Sequence, residues 1–109
     1  MENKLIIIKN KNGKFLLVRD TTGVWSFLRV GEDPIKAALD GLNIDIELTD
    51  KTKSIEIHGV KTIFTLANTK DLKIKEGGEI IETVWLDRGI ALERITYGDV
   101  MDVFEELTE

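Results

Sequence analysis

The chain has no cysteine and no glutamine, a single histidine, a single proline and few aromatic residues. Without cysteine there can be no disulfide and no thiolate-held metal. His58 alone excludes a site built from several histidines of one chain. No apolar run approaches the roughly 20 residues that a membrane span needs, so no membrane partner is expected. The opening MENKLIII carries an acidic residue and runs straight into a strand-like stretch, unlike a secretory signal. The expectation is a soluble, cytoplasmic protein. Basic residues are also in the minority, 15 against 20 acidic, for a net charge of −5. The lysines are spread along the chain among acids, which argues against a broad nucleic-acid face. What is abundant is Ile, Lys and Glu, a composition that fits a thermophilic source.

At 109 residues the chain reads as one domain spanning positions 1–109. Lys4 to Lys9 is an Ile-rich run expected to form a buried strand. Asn10-Lys11-Asn12-Gly13 contains the Asn-Gly pair of a tight hairpin, and Lys14 to Arg19 is the returning strand. Val24 to Val30 reads as a short strand. Asp33 offers an N-cap and Pro34 suits the first helical position. Ile35, Ala38, Leu39 and Leu42 fall on one helical face, and Gly41 is the expected stop after about two turns. The alternations at Ile44, Ile46, Leu48 and at Ile55, Ile57 predict half-buried strands, and Lys61 to Asn68 and Ile80 to Leu86 predict two more. Lys70 to Gly78 reads as a charged loop. Thr96-x-x-Asp99 has the spacing of a capping box ahead of a closing amphipathic helix carrying Val100, Val103, Phe104 and Leu107. Six or seven strands and two helices, without regular alternation, predict a mixed α+β sandwich.

The segment from Lys14 to Asp40 carries a more specific pattern. Leu17-Val18-Arg19 ends a strand, Trp25-Ser26-Phe27 follows, then Gly31-Glu32 and Ala37-Ala38. In order and spacing this resembles the entry to the catalytic helix of the Nudix family, whose members hydrolyse nucleoside diphosphates linked to another group. Glu79-Ile80-Ile81-Glu82-Thr83-Val84-Trp85-Leu86 is similar to a later strand of that family, and the last helix to its closing helix. The resemblance implies a Nudix-like mixed β-sheet sandwich with a shortened first helix and a C-terminal helix.

The pattern departs from the family where the chemistry would be. Leu28 replaces the family's proline, Arg29-Val30 stands where two glycines would, and about four residues are missing before Gly31-Glu32, judged by motif spacing. Aligned without gaps, the family's Arg-Glu positions hold Asp40 and Gly41, and its Glu-Glu positions hold Ile44 and Asp45; the preferred alternative is a truncated helix in which Gly41-Leu42 matches the family's Gly-hydrophobic ending, because a cap glycine then stands where the apolar period stops. Family hydrolysis uses magnesium, which needs carboxylate anchors in near-octahedral geometry. No metal site or cofactor is therefore expected, and magnesium would enter only in a residual hydrolase built from Glu32, Asp40, Glu79 and Glu82. The candidate ligand-binding residues are Arg19, Trp25, Arg29 and Trp85. Each has a plainer reading as well: core or rim packing for the tryptophans, a surface pair for Arg19, and for Arg29 either filling of the former pocket or an anion contact. Asp33 reads as a cap, Glu32 as a helix-start charge, and Glu76, Glu79 and Glu82 as solvated acids.

The leading expectation is thus a catalytically degenerate Nudix-like domain that binds a nucleotide-like ligand or a protein partner. The rivals are the residual magnesium-dependent hydrolase and an interaction module, including a homodimer paired through the Lys4–Lys9 strand edge.

Overall fold

The computed structural model describes residues 2–78 and 80–109. Its central strand, β1 (Glu2–Asn10), is apolar on both faces because successive side chains point opposite ways. Leu5 and Ile7 enter one core layer, and Ile6 and Ile8 enter the other. The neighbouring strand β2 (Phe15–Asp20) divides in the same way, Phe15 and Leu17 against Leu16 and Val18. Both strands therefore read as continuous apolar runs rather than alternating ones.

The remaining strands are β3 (Trp25–Ser26), β4 (Leu28–Val30), β5 (Glu47–Ile57), β6 (Val60–Thr69) and β7 (Ile80–Leu86). Among the described residues they join β1 and β2 in one mixed seven-stranded sheet. One edge of β1 is paired along its whole length with β6, in parallel, from Glu2↔Lys61 to Asn10↔Thr69. The other edge is shared. β2 meets it only near the hairpin, at Lys9↔Phe15, while β4 takes Lys4, Leu5 and Ile6. β2 turns away to pair with β7 and β3. The sheet splays where β2 and β4 part.

Helix α1 (Pro34–Leu42) covers one face, with Ile44 and Ile46, over Ile6, Ile8, Leu16, Val18 and Leu28. Helices α2 (Arg88–Arg94) and α3 (Gly98–Leu107) cover the other, where Phe104 meets Phe15 edge-on at 5.0 Å and stacks on Phe27 at 5.4 Å. The mixed α+β arrangement holds. Asp33 caps α1, its Oδ1 accepting the Lys36 N–H at 3.1 Å, with Pro34 in the first turn.

Several local expectations are corrected. Gly41 lies inside α1, and the stop falls on Asn43, in the left-handed conformation (φ 56, ψ 40) that asparagine tolerates. Of the four apolar residues expected on one buried face of α1, only Ala38 and Leu42 are buried; Ile35 and Leu39 are 44% and 42% exposed. A short helix at the rim of a sheet touches it along a single i, i+4 row. Thr96 does not cap α3. Its hydroxyl accepts the Trp25 N–H at 2.9 Å and its own N–H donates to Trp25 O at 3.2 Å, so a tertiary partner wins over the local one. Tyr97 occupies the cap position without a side-chain bond. The third helix, α2, was not in the two-helix expectation: only Ala91 of its seven residues is buried, too little for a periodic signal. The Val24–Val30 strand is two short strands interrupted at Phe27, and the alternations around Leu48 and Ile55 belong to one long strand, β5, with a register irregularity between Leu48 and Thr52. Ile44 and Ile46 are buried ahead of it. Finally, β1 is central and paired on both edges, so it offers no free edge for a homodimer. Among the described residues no helix is long and apolar enough to cross a membrane.

Phe104→Ala removes the ring that both Phe15 and Phe27 pack against and is expected to cost about 3–5 kcal/mol. Asp33→Ala, which removes only an exposed cap, is expected to cost about 1 kcal/mol. Urea denaturation midpoints compare the two, and equal losses would contradict this picture of the core.

Candidate functional site

Where β2 and β4 part, the sheet opens a cleft of about 660 Å³. One side is formed by Ala37 and Gly41 of α1 with Gly77 and Ile80; the far end is formed by His58, Thr62, Tyr97 and Val100. Asp20, Ser26 and Arg29 also line it. Among the described residues that line the cleft, Asp20 carries the one carboxylate and Arg29 the one guanidinium.

Local pattern dictates both placements. In β4, Leu28 and Val30 are buried and Arg29 between them is exposed, as strand alternation requires. Its backbone stands opposite Leu5 of the central strand. Asp20 ends β2 at a register irregularity and opens the turn to Gly23. Its Oδ1 accepts both the Thr22 hydroxyl and the Thr22 N–H, the latter at 2.9 Å. These two bonds hold its carboxyl below the ordinary value of 3.8, and the nearby positive charge of Arg29 adds to the effect against a desolvation cost. At the far end His58 and Gly59 turn the β5–β6 hairpin with positive φ (50 and 78), and the His58 ring stands edge-on to Tyr97 at 6.5 Å.

Of the four ligand-binding candidates, Arg29 alone lines this cleft. Arg19 is committed elsewhere: its Nε and Nη2 donate to Glu82 Oε1 at 3.1 and 2.8 Å, and its guanidinium lies over the Trp25 ring at 5.8 Å. Trp25 packs against the α3-side core, whereas Trp85 packs on the α1 side and donates its indole N–H to Leu72 O at 2.9 Å. The two tryptophans therefore sit on opposite faces of the sheet.

The candidate carboxylates among the described residues are not brought together either. Glu32 is exposed ahead of the Asp33 cap, and Asp40 is exposed on α1. Glu82 shares its face with Val84 of the α3-side core, opposite α1, and is paired with Arg19. Glu79 lies outside the described residues. Among the described residues no three Asp, Glu or His side chains are placed to hold one metal ion. The donor set does not fit magnesium, which takes oxygen ligands at about 2.1 Å.

A structural reason accompanies this deficit. The segment between β6 and β7 folds over the C-terminal end of α1 as a strap. Lys75 N–H donates to Leu42 O at 3.1 Å and Gly77 N–H to Gly41 O at 2.9 Å, satisfying carbonyls that a helix end leaves open. Asp71 Oδ2 accepts the Asp45 N–H at 2.8 Å, and Glu76 Oε1 accepts the Thr83 hydroxyl at 3.1 Å. A Cβ at Gly41 would stand 3.3 Å from Ile80 Cδ1, and one at Gly77 would stand 3.1 Å from the Asp40 carbonyl oxygen. The last turn of α1 is thus closed in on both sides, by the Ile80 side chain of β7 at Gly41 and by the strap at the Asp40 and Gly41 carbonyls. Sequence reading of Gly77-Gly78 as a turn gives no sign of this close approach; nor does it single out Asp20, Thr62 or Tyr97 as cleft residues.

Two outcomes follow. Gly77→Ala forces the strap away from Asp40 and weakens the Gly77–Gly41 bond, with an expected loss of about 1 kcal/mol in denaturant and faster hydrogen exchange at residues 75 and 77. Because the Asp20 pKa is lowered in the folded state, its contribution to stability is present above the unfolded value and fades as pH falls through the folded one. As pH falls through and below the ordinary carboxylate range the parent protein should therefore lose slightly more stability than Asp20→Asn; parallel pH profiles would contradict the assignment.

No protein-family profile and no curated protein matches this chain. Solved structures do. An Ap4A hydrolase of C. elegans, in a binary complex, superposes with a TM-score of 0.83 at 14% identity, over 97% of this chain and 95% of that one. A MutT protein from Methanosarcina mazei gives 0.75 at 19% identity, over 98% and 91%. The NUDIX domain of Shewanella oneidensis NrtR, complexed with ADP ribose, gives 0.72 at 11% identity, over 97% and 84%. With TM-scores of 0.72 to 0.83 over nearly the whole chain, the chain has the Nudix fold.

Proposed function

We propose that residues 1–109 form a single cytoplasmic Nudix-fold domain that has lost metal-dependent hydrolysis and keeps its cleft to bind a nucleotide-like ligand. The observation that carries this reading is the charge content of the cleft: one carboxylate and one guanidinium among the described residues. A magnesium-assisted attack on a diphosphate needs several anionic oxygens to hold the ion and a bound water to act as nucleophile. What the chain offers instead is a positively charged fork, an apolar floor that includes Leu5 and Val60, and the rings of His58 and Tyr97 at the far end. That combination suits a molecule with a phosphate group at one end and a planar ring at the other. Ligands of this kind are named for the similar structures, Ap4A for one and ADP ribose for another.

An open cleft of about 660 Å³ is within the size range of small-molecule sites, which favours this reading over a surface used only for protein contacts. The test is calorimetric titration with ADP-ribose, ATP and dinucleoside polyphosphates, with phosphate-release assays on the same mixtures. Binding without turnover is expected. Absence of heat at millimolar ligand would remove the ligand reading. Magnesium-dependent turnover that disappears in Asp40→Ala or Glu79→Ala would replace it with the residual hydrolase.

A further inference from the structure

We infer that Arg29 makes the cationic contact to the ligand's phosphate that a metal ion would otherwise make, and that Asp20 is its resident counter-anion, which an incoming phosphate opposes. This rests on the reading of the cleft as a ligand site, but it can be tested apart from any nucleotide.

Three observations meet at Arg29. Its backbone is fixed: Leu28 and Val30 on either side are 4% and 9% exposed, and Lys4–Ile6 of the central strand hold β4 in register. The side chain itself faces the cleft and is exposed. Among the described residues it makes no ion pair or side-chain hydrogen bond, whereas Arg19 is held by Glu82, and Arg88 by Thr108 and the Glu105 carbonyl. A guanidinium anchored at its base and uncommitted at its tip offers a planar fork of donors that matches two phosphate oxygens.

Asp20 lines the same cleft and offsets that charge. Its Oδ1 is turned onto Thr22, which fixes the carboxylate without consuming the Arg29 donors. The field of Arg29 reaches it, helping to keep it ionised. Among the described lining residues the two charges offset each other. A phosphate arriving at Arg29 gains the fork but meets a like charge on Asp20, so Asp20 lowers affinity for anions while leaving uncharged molecules untouched. No metal ion is required at any point.

The decisive measurement is an NMR titration of the 15N-labelled protein with inorganic pyrophosphate in EDTA, following the Arg29 side-chain Nε–H signal, alongside calorimetry with ADP and with adenosine. The Arg29 signal is expected to move on addition of pyrophosphate. Arg29→Ala should weaken ADP binding by about 10- to 100-fold, the equivalent of losing a hydrogen bond to a charged group. Arg29→Lys should recover part of that loss, and Asp20→Asn should tighten ADP by about 3- to 10-fold, as expected for relief of one like charge in a partly exposed site. Adenosine should respond to none of these changes. An unmoved Arg29 signal, ADP binding that vanishes in EDTA, or an Arg29→Ala protein that binds ADP normally would overturn the inference. Pyrophosphate binding at Arg29 without any binding of ADP or ADP-ribose would support it while removing the nucleotide reading.

Discussion

The divided edge of β1 is the constraint on which the rest of the structure depends. Its other edge is fully occupied by parallel pairing with β6, so its register is fixed there. On the shared edge, β2 is held near Lys9 and β4 near Lys4–Ile6, and the two must diverge. The diverging strands expose no unpaired core, because β2 finds β7 and β3 and both faces of β1 are covered by helices. The consequence is a cleft whose lining includes Val18 of β2, Leu5 of β1 and Leu28 and Arg29 of β4. Arg29 and Asp20 owe their positions to this split: one lies on the strand that stays with β1, the other at the end of the strand that leaves.

The second constraint is electrostatic. A diphosphate brings at least two negative charges into a partly enclosed space, and something positive must meet them. In a metal-dependent site, acidic side chains gather first so that a divalent cation can be held, and the protein contributes negative charge in order to present positive charge. Here the described acids are scattered: Glu82 is tied to Arg19 on the α3 face, Asp33 is spent on a helix cap, and Asp40 faces outward from α1. The strap over the end of α1 makes this more than a matter of missing side chains, since Gly41 and Gly77 are both in contact with their neighbours across it. On the proposed reading, positive charge is supplied directly by Arg29, at the position where the family resemblance places a glycine pair.

How much of this the sequence carried depended on whether the determining partner was local. The Asp33 cap, the Pro34 start and the Ile80–Leu86 strand involve neighbours in the chain and could be read directly. So could the order of motifs that pointed to the fold. Thr96 bonds to Trp25, 71 positions away, and its local spacing misled. The apolar face of α1 looked wider than the single row that touches the sheet, because nothing in a helical period says how much of the face a partner covers. At the site, the family motifs drew attention to Trp25 and Trp85, yet each packs into its own side of the core, the plainer of their two readings. Arg29 was recognisable from the resemblance alone. Asp20 was not, since its role comes from a cleft that forms only when two strands separate.

The central claim is that phosphate recognition here is done by a side chain and not by a metal. Crystals of the protein grown with ADP-ribose and manganese test it most directly, because anomalous scattering locates the ion independently of the ligand. The account predicts a phosphate group on Arg29 and no manganese between it and the protein. Manganese bound by several acidic side chains of this chain, with the diphosphate on the ion, would contradict it.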